Sequence, residues 1–299
     1  MPTSPLRIAT DPAAARAAAR SALGGAALLV LCLSVYLPGL FVIPAVDRDE
    51  ARFAQASRQM FESVALPPAQ RTGRHAGGLV VPMLQDKPRL NKPPLIYWLQ
   101  SSAAAIFTAG DPAHDAIWMY RVPSALAAML NVLLTWRLGL RMFDPRAAWL
   151  GAALLAICPM IVWDAHQARA DQVLLTTCVA AQLALWRLWR DGPSLGWAGG
   201  FWLAIAAGIM TKGPIAPMVS GLTALSLCLA TGRWDWLLRL RPILGTAVVG
   251  AAVGPWILAV AQQQGGLTKY LVLVYEEVDI VGTGVERVVN QLADGIQRG

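Results

Sequence analysis

Seven apolar stretches dominate this sequence: Ala22–Val46, Val122–Leu140, Ala147–Trp163, Val173–Trp189, Gly196–Met210, Ile215–Ala230 and Ile243–Ala261. A membrane-spanning helix needs about 20 mostly apolar residues, so these runs predict an all-α integral membrane protein. The charge content agrees. Only 14% of residues are charged, against roughly 25% in a soluble domain.

The basic residues fix an orientation. Arg7, Arg16 and Arg20 precede the first run, and the Ala-rich start followed by a long apolar stretch predicts an uncleaved signal-anchor. Arg137, Arg141 and Arg146, then Arg187 and Arg190, then Arg233, Arg239 and Arg241 fill alternate connections. Short basic loops stay cytoplasmic. The expected organisation is therefore a cytoplasmic segment 1–21, a membrane domain 22–261 of about seven spans with its first outer loop at 47–121, and an outer-face loop 262–299. The net charge of +7 is accounted for by this asymmetry and implies no nucleic acid. Cys32, Cys158, Cys178 and Cys228 all fall in apolar runs without a CxxC spacing, so they read as small core residues.

Pro94–Gly110 is a further apolar segment. If it crossed, every later basic loop would invert. It is therefore read as an interfacial or re-entrant helix opened by Pro93-Pro94, with Tyr97 and Trp98 at the membrane interface. Ahead of it, Phe53, Ser57, Met60, Phe61 and Val64 recur on one helical face, and Arg52, Gln55, Arg58, Gln59 and Glu62 on the other. This predicts an amphipathic helix on the membrane surface, ended by Leu66-Pro67-Pro68.

On this topology four charged clusters share the outer face: Asp47/Asp49/Glu50, Asp86–Lys92, Asp164–Asp171 and the Lys212-Gly213-Pro214 turn. Carboxylates that accept protons, set against cations that hold an anion, suit transfer from a phosphate leaving group. Each residue also has a plainer reading. Asp47 with Glu50 resembles a capping box, Asp49 or Asp171 would cap a helix, and Lys92 would snorkel to headgroups. Lys212 has no acid beside it in sequence and needs a partner or water. His166 sits in a polar loop, whereas His75 and His114 read as structural. The charges alone fit a transporter or a lipid-handling scaffold equally well.

The segments RDEARFAQASRQM (48–60), LNKPPLIYWLQ (90–100), YRVPSALAAML (120–130), HQARADQVLLT (166–176) and GIMTKGPIAPMVSGL (208–222) occur in one order. Together they resemble the dolichyl-phosphate-mannose–protein mannosyltransferase superfamily, in particular its bacterial aminoarabinose transferases acting on lipid A. The resemblance implies a GT-C type helical bundle with amphipathic juxtamembrane helices in the first outer loop. It also implies a polyprenyl-phosphate-linked sugar donor, a lipid or protein acceptor, and inverting transfer at the periplasmic face of a bacterial inner membrane. By the same resemblance, Asp49 and Asp171 are the catalytic acids, and Lys92 and Lys212 bind the donor phosphate. Glu50, Arg52 and His166 are secondary candidates. No cofactor follows from the sequence: no metal-ligand spacing is present, and a divalent cation is left open. Two departures stand out: Asn91 where relatives often carry an acid, and Tyr275–Asp279 without the usual His and Arg. The chain also ends at Gly299, before the further spans such enzymes carry, so it is expected to be an N-terminal portion. Alternative readings are a lipid-linked sugar flippase and an inactive truncated paralogue serving as a scaffold.

Overall fold

The computed structural model describes residues 12–90 and 92–263, with side chains from residue 22 onward. Asn91, the Tyr275–Asp279 segment, the outer-face loop beyond 263 and the first eleven residues lie outside the described residues.

The described chain is mainly helical. In order it forms α1 (Pro12–Tyr36), α2 (Arg48–Ala65), a two-strand ribbon of β1 (Met83–Leu84) and β2 (Lys87–Pro88), α3 (Leu95–Phe107), α4 (Ile117–Met142), α5 (Pro145–Ala156), α6 (Pro159–Ala165), α7 (Asp171–Arg190), α8 (Leu195–Lys212), α9 (Ile215–Thr231) and α10 (Pro242–Gln263). By length and composition alone, α4 and α10 qualify as membrane spans, and the bent α5–α6 pair makes a third.

Sequence chemistry explains the boundaries. Asp144 caps α5 by accepting from the Arg146 and Ala147 amides, with Pro145 in the first turn. The expected Ala147–Trp163 span is not continuous. Pro159 has no amide hydrogen to carry the ladder through, so α5 stops and α6 leaves at a bend of 56°. The first helix ends at Tyr36, well short of Val46, and Leu37–Ile43 form turns.

The bundle has two polar ends. α7 has 20 residues, which span about 30 Å, the thickness of a bilayer core. At its C-terminal end Asp191 pairs with Arg187 at 2.5 Å and Arg141 at 3.8 Å. Arg239 donates there to the Leu188 and Trp189 carbonyls. Three of the basic connections thus meet at one end. Its N-terminal end, Asp171, lies at the opposite one. Between them, Val30, Leu126, Leu154, Leu203, Leu222 and Leu258 face outward, as lipid contact requires. Small residues let the helices close up: a Cβ on Gly208 of α8 would stand 2.3 Å from the Ala216 Cβ of α9.

The first loop folds back onto the bundle. Leu95–Phe107 is 13 residues long, about 20 Å, too short to cross. Two of its features differ from the sequence reading. Tyr97 is fully buried and stacks on Phe53 at 5.6 Å, so it does not face headgroups. α2 does not rest its apolar face on the membrane surface: that face packs on α3. Ser57 Oγ donates to Gln100 Oε1 at 2.6 Å, and Ser101 Oγ donates to the Ser57 carbonyl at 2.7 Å. Two tryptophans strap the rest of the loop. Trp98 Nε1 of α3 donates to the Leu79 carbonyl, and Trp256 Nε1 of α10 donates to that of Val80.

Candidate active site

The four charged clusters converge at the end of the bundle where α2 and α7 begin and α8 stops. Asp47 is the N-cap of α2, its side chain accepting from the Asp49 amide at 2.8 Å. That duty leaves Asp49 free of capping. Its carboxylate is about half exposed, with Arg52 at 3.6 Å and Arg169 at 4.0 Å.

Arg169, to which the sequence reading assigns no role, is the centre of the constellation. Besides Asp49, its guanidinium reaches Asp47 at 3.2 Å, Asp171 at 3.4 Å and Asp164 at 3.8 Å. An arginine fork can serve several carboxylates at once because its five N–H groups are fixed in a plane. Its signal in sequence was the spacing Asp164-x4-Arg169-x-Asp171, a lone cation between acids.

Asp171 opens α7 but does not cap it: the N-cap position is Ala170, with no side-chain cap. The carboxylate instead takes Lys212 Nζ at 2.5 Å. The partner that Lys212 needed is therefore 41 residues away. Gly213 makes the approach workable. At φ +68° and ψ −129° it holds a conformation that a side chain would strain, and it reverses the chain directly after Lys212.

Lys92 has no ion-pair partner among the described residues. Burial, with Lys212 and Arg89 adding repulsion, holds its pKa below the ordinary lysine value, and Asp171 and Asp49 pull weakly the other way. Arg89 is a second cation to which the sequence assigned no role. It is buried, its guanidinium lies 4.9 Å above the Phe53 ring, and its Nε has no hydrogen-bond partner among the described residues. Buried donors without acceptors are costly, and Arg89, with the half-buried Lys92 as a neighbouring cation, makes a place for an anion.

Two secondary candidates have other work. Glu50 does not complete a capping box. It is 1% exposed and forms a two-pronged pair with Arg121, itself 0% exposed, at 2.7 and 3.1 Å. The remaining Arg121 nitrogen donates to the Leu40 and Ile43 carbonyls, and Glu50 also accepts from the Ala168 amide. This pair locks α2, α4, the turn after α1 and the 166–170 loop together. His166 is buried too, not at the surface: its ring nitrogens lie 2.7 Å from the Val162 and Pro38 carbonyls. Arg52 stays at the site as the neighbour of Asp49. His75 is buried against Glu62 at 3.1 Å, while His114 is exposed beside Asp111. No group of three or more metal-ligating side chains occurs among the described residues.

A helical bundle with a lipid-facing waist and paired acids and cations at one mouth defines a multi-pass membrane protein. Residues 91–258 match the dolichyl-phosphate-mannose-protein mannosyltransferase family, and the chain belongs to it. Relatives include an undecaprenyl phosphate-alpha-4-amino-4-deoxy-L-arabinose arabinosyl transferase of Edwardsiella ictaluri, 27% identical over 249 residues, covering 82% of this chain and 41% of the relative. A transferase of the same name from Pseudomonas savastanoi pv. phaseolicola is 29% identical over 250 residues, covering 82% and 43% respectively. Among solved structures, ArnT from Cupriavidus metallidurans bound to undecaprenyl phosphate superposes with a TM-score of 0.69 at 24% identity, covering 81% of this chain and 42% of that one. Its apo form gives 0.69 at 25% identity, covering 83% and 43%. The chain thus spans about two fifths of the length of the relatives it matches.

Proposed function

We propose that this chain carries the donor-side active site of a membrane glycosyltransferase. It would move a sugar from a polyprenyl-phosphate carrier to a lipid or protein acceptor at the periplasmic face of the inner membrane. The observation that carries the reading is a half-exposed carboxylate, Asp49, at the same mouth as two cations, Lys92 and Arg89, that have no ion-pair partner among the described residues. The relatives' names, which specify an undecaprenyl-phosphate-linked aminoarabinose, favour that sugar and lipid A as acceptor. The orientation rests on the basic end of the bundle staying cytoplasmic.

In this reading the acceptor oxygen attacks the anomeric carbon as the carbon–oxygen bond to the polyprenyl phosphate breaks. Asp49 takes the acceptor proton. The departing phosphate keeps the bonding pair, and its charge is held by Lys92 with Arg89 behind it. Attack from the opposite side inverts the anomeric centre. Asp171, fixed between Arg169 and Lys212, sets the position of the Lys212 ammonium at the rim. The lipid tail supplies about 0.8 kcal/mol per buried CH2, binding energy remote from the reacting carbon that can position the donor.

The test is turnover of a labelled polyprenyl-phosphate sugar by purified protein in lipid. Release of polyprenyl phosphate with a glycosylated acceptor supports the transferase. Movement of intact donor across the vesicle supports a flippase instead, and inertness supports a scaffold.

A further inference from the structure

A cleft of about 410 Å³ lies beside the charged mouth, lined by Gln55, Gln59, Arg74, Gln85 and Asp86. Its lining is unusual for this protein: three amides, a guanidinium and a carboxylate, with no aliphatic or aromatic side chain. A lipid tail has nothing to bind there. A hydroxyl-rich ligand does, because amides and carboxylates both face sugar hydroxyls well and a guanidinium holds an anionic substituent.

The cleft is built. Gln59 is 1% exposed and locks the far wall, donating to the Gln85 carbonyl and accepting from the Gln85 amide, each at 2.8 Å. That clamp holds Gln85 at φ +58°, which a non-glycine residue adopts only under constraint. The Arg74 wall is pinned from behind. His75 Nδ1 accepts from the Thr72 amide at 3.0 Å, so the ring carries its proton on Nε2 and donates to Glu62 at 3.1 Å. Asp86 closes the gap, its Oδ1 within 4.0 Å of where a Cβ on Gly73 would stand. Arg74 and Asp86, the two charges of the cleft, pair neither with each other nor with any other described residue.

Position relates it to the active site. Arg52, Gln55 and Gln59 follow one another at helical spacing along α2, and Arg52 is the ion-pair neighbour of Asp49. By helical rise, Gln55 is about 9 Å and Gln59 about 15 Å beyond Asp49, within reach of a short oligosaccharide whose end occupies the site.

We propose that this cleft binds an anionic saccharide, the sugar headgroup of the acceptor, with Arg74 holding its anionic group and Gln55 and Asp86 its hydroxyls. The role as acceptor subsite rests on the transferase reading above; the binding itself does not. The test uses the full chain in nanodiscs of neutral lipid, titrated with glucose 1-phosphate and with glucose. Lys92→Ala serves as background, so that phosphate captured at the mouth is removed. The expected result is saturable binding of glucose 1-phosphate, at least tenfold tighter than glucose and weakened at least tenfold by Arg74→Ala. No binding in the Lys92→Ala background, or binding indifferent to Arg74→Ala, overturns the proposal. A glycolipid with a phosphorylated headgroup, supplied in the disc, separates the sources. Tighter Arg74-dependent capture of the glycolipid than of the free sugar identifies a lipid-borne acceptor, and the reverse identifies a soluble one. If binding behaves as expected while no donor turns over, the transferase reading falls and the cleft stands.

Discussion

The Lys212 ammonium lies 2.5 Å from Asp171 Oδ1, joining the last residue of α8 to the first of α7. The pair neutralises one of the cations at the mouth. Beside that pair, Lys92 and Arg89 are positive charges without a described carboxylate, and Asp49 is a half-exposed acid held only at 3.6 and 4.0 Å by Arg52 and Arg169. On the proposed function this arrangement divides the labour: Asp171 and Lys212 would organise the mouth, and Lys92 and Asp49 would meet substrate.

Asp49→Asn keeps the side-chain shape and removes the proton acceptor. Transfer is expected to fall by about 10²–10⁴-fold, the usual contribution of a general base. Thermal stability should be nearly unchanged, because Asp47 and not Asp49 caps α2. Single-turnover rates alongside melting curves check this, and near-normal transfer would remove Asp49 from the chemistry.

If Lys92 holds the donor phosphate, it is expected to give the site an alkaline limit. Its pKa is lowered by burial and by the neighbouring Lys212 and Arg89, and the ammonium is the form that holds phosphate. Donor affinity is expected to be full at lower pH and to decline as pH rises through that lowered pKa. Stability has the opposite sign. Above the lowered pKa the unfolded chain retains a proton that the folded chain has released, so this residue's contribution favours folding as pH rises there. In Lys92→Arg the alkaline loss of donor affinity should move to higher pH, because arginine does not deprotonate in the working range. A binding profile of unaltered shape would exclude Lys92 from the anion site.

Arg121→Ala strands the buried Glu50 carboxylate without its partner. Loss of one member of a buried pair costs about 3–5 kcal/mol, read as a lowered melting temperature in detergent. The double change Glu50→Gln with Arg121→Met should cost less than Arg121→Ala alone, since no charge is left buried. A stable Arg121→Ala protein with impaired turnover would instead put the pair in the reaction.

Arg169→Ala releases Asp47, Asp49, Asp164 and Asp171 from a common centre. Misplacement by about 1 Å costs roughly 100-fold in rate, so kcat should drop by that order while the donor KM, set by Lys92, changes little. Arg169→Lys should recover only part, because a lysine is a point charge and cannot fork among four acids. Equal loss of kcat and gain in KM would place Arg169 on the donor itself.

Much of the candidate site was legible because its residues break a pattern. Asp49, Lys92, Asp171 and Lys212 are charges bordering apolar runs, and such charges need a reason to be there. Arg121 and Glu50 were harder to read. Both look like ordinary loop or cap residues in sequence, and only the approach of α4 to the start of α2 buries them. Arg169 and Arg89 were visible in charged clusters, yet nothing local said which acid or ring each would meet. The amphipathic period of α2 was correct as a helix but misleading about its surroundings. A 3.6-residue stripe marks a face that must be covered, and lipid and a second helix cover it equally well as far as periodicity can tell.

The sequence by itself determined the medium, most of the helices and the end of the bundle at which the opposed charges gather. Hydropathy and charge are local properties, summed along a run or a loop. The tertiary structure decided which charges neutralise one another and which are left to meet a ligand. Coulomb attraction and desolvation depend on distances between segments 41, 71 and 122 residues apart, and those distances exist only once the helices have packed.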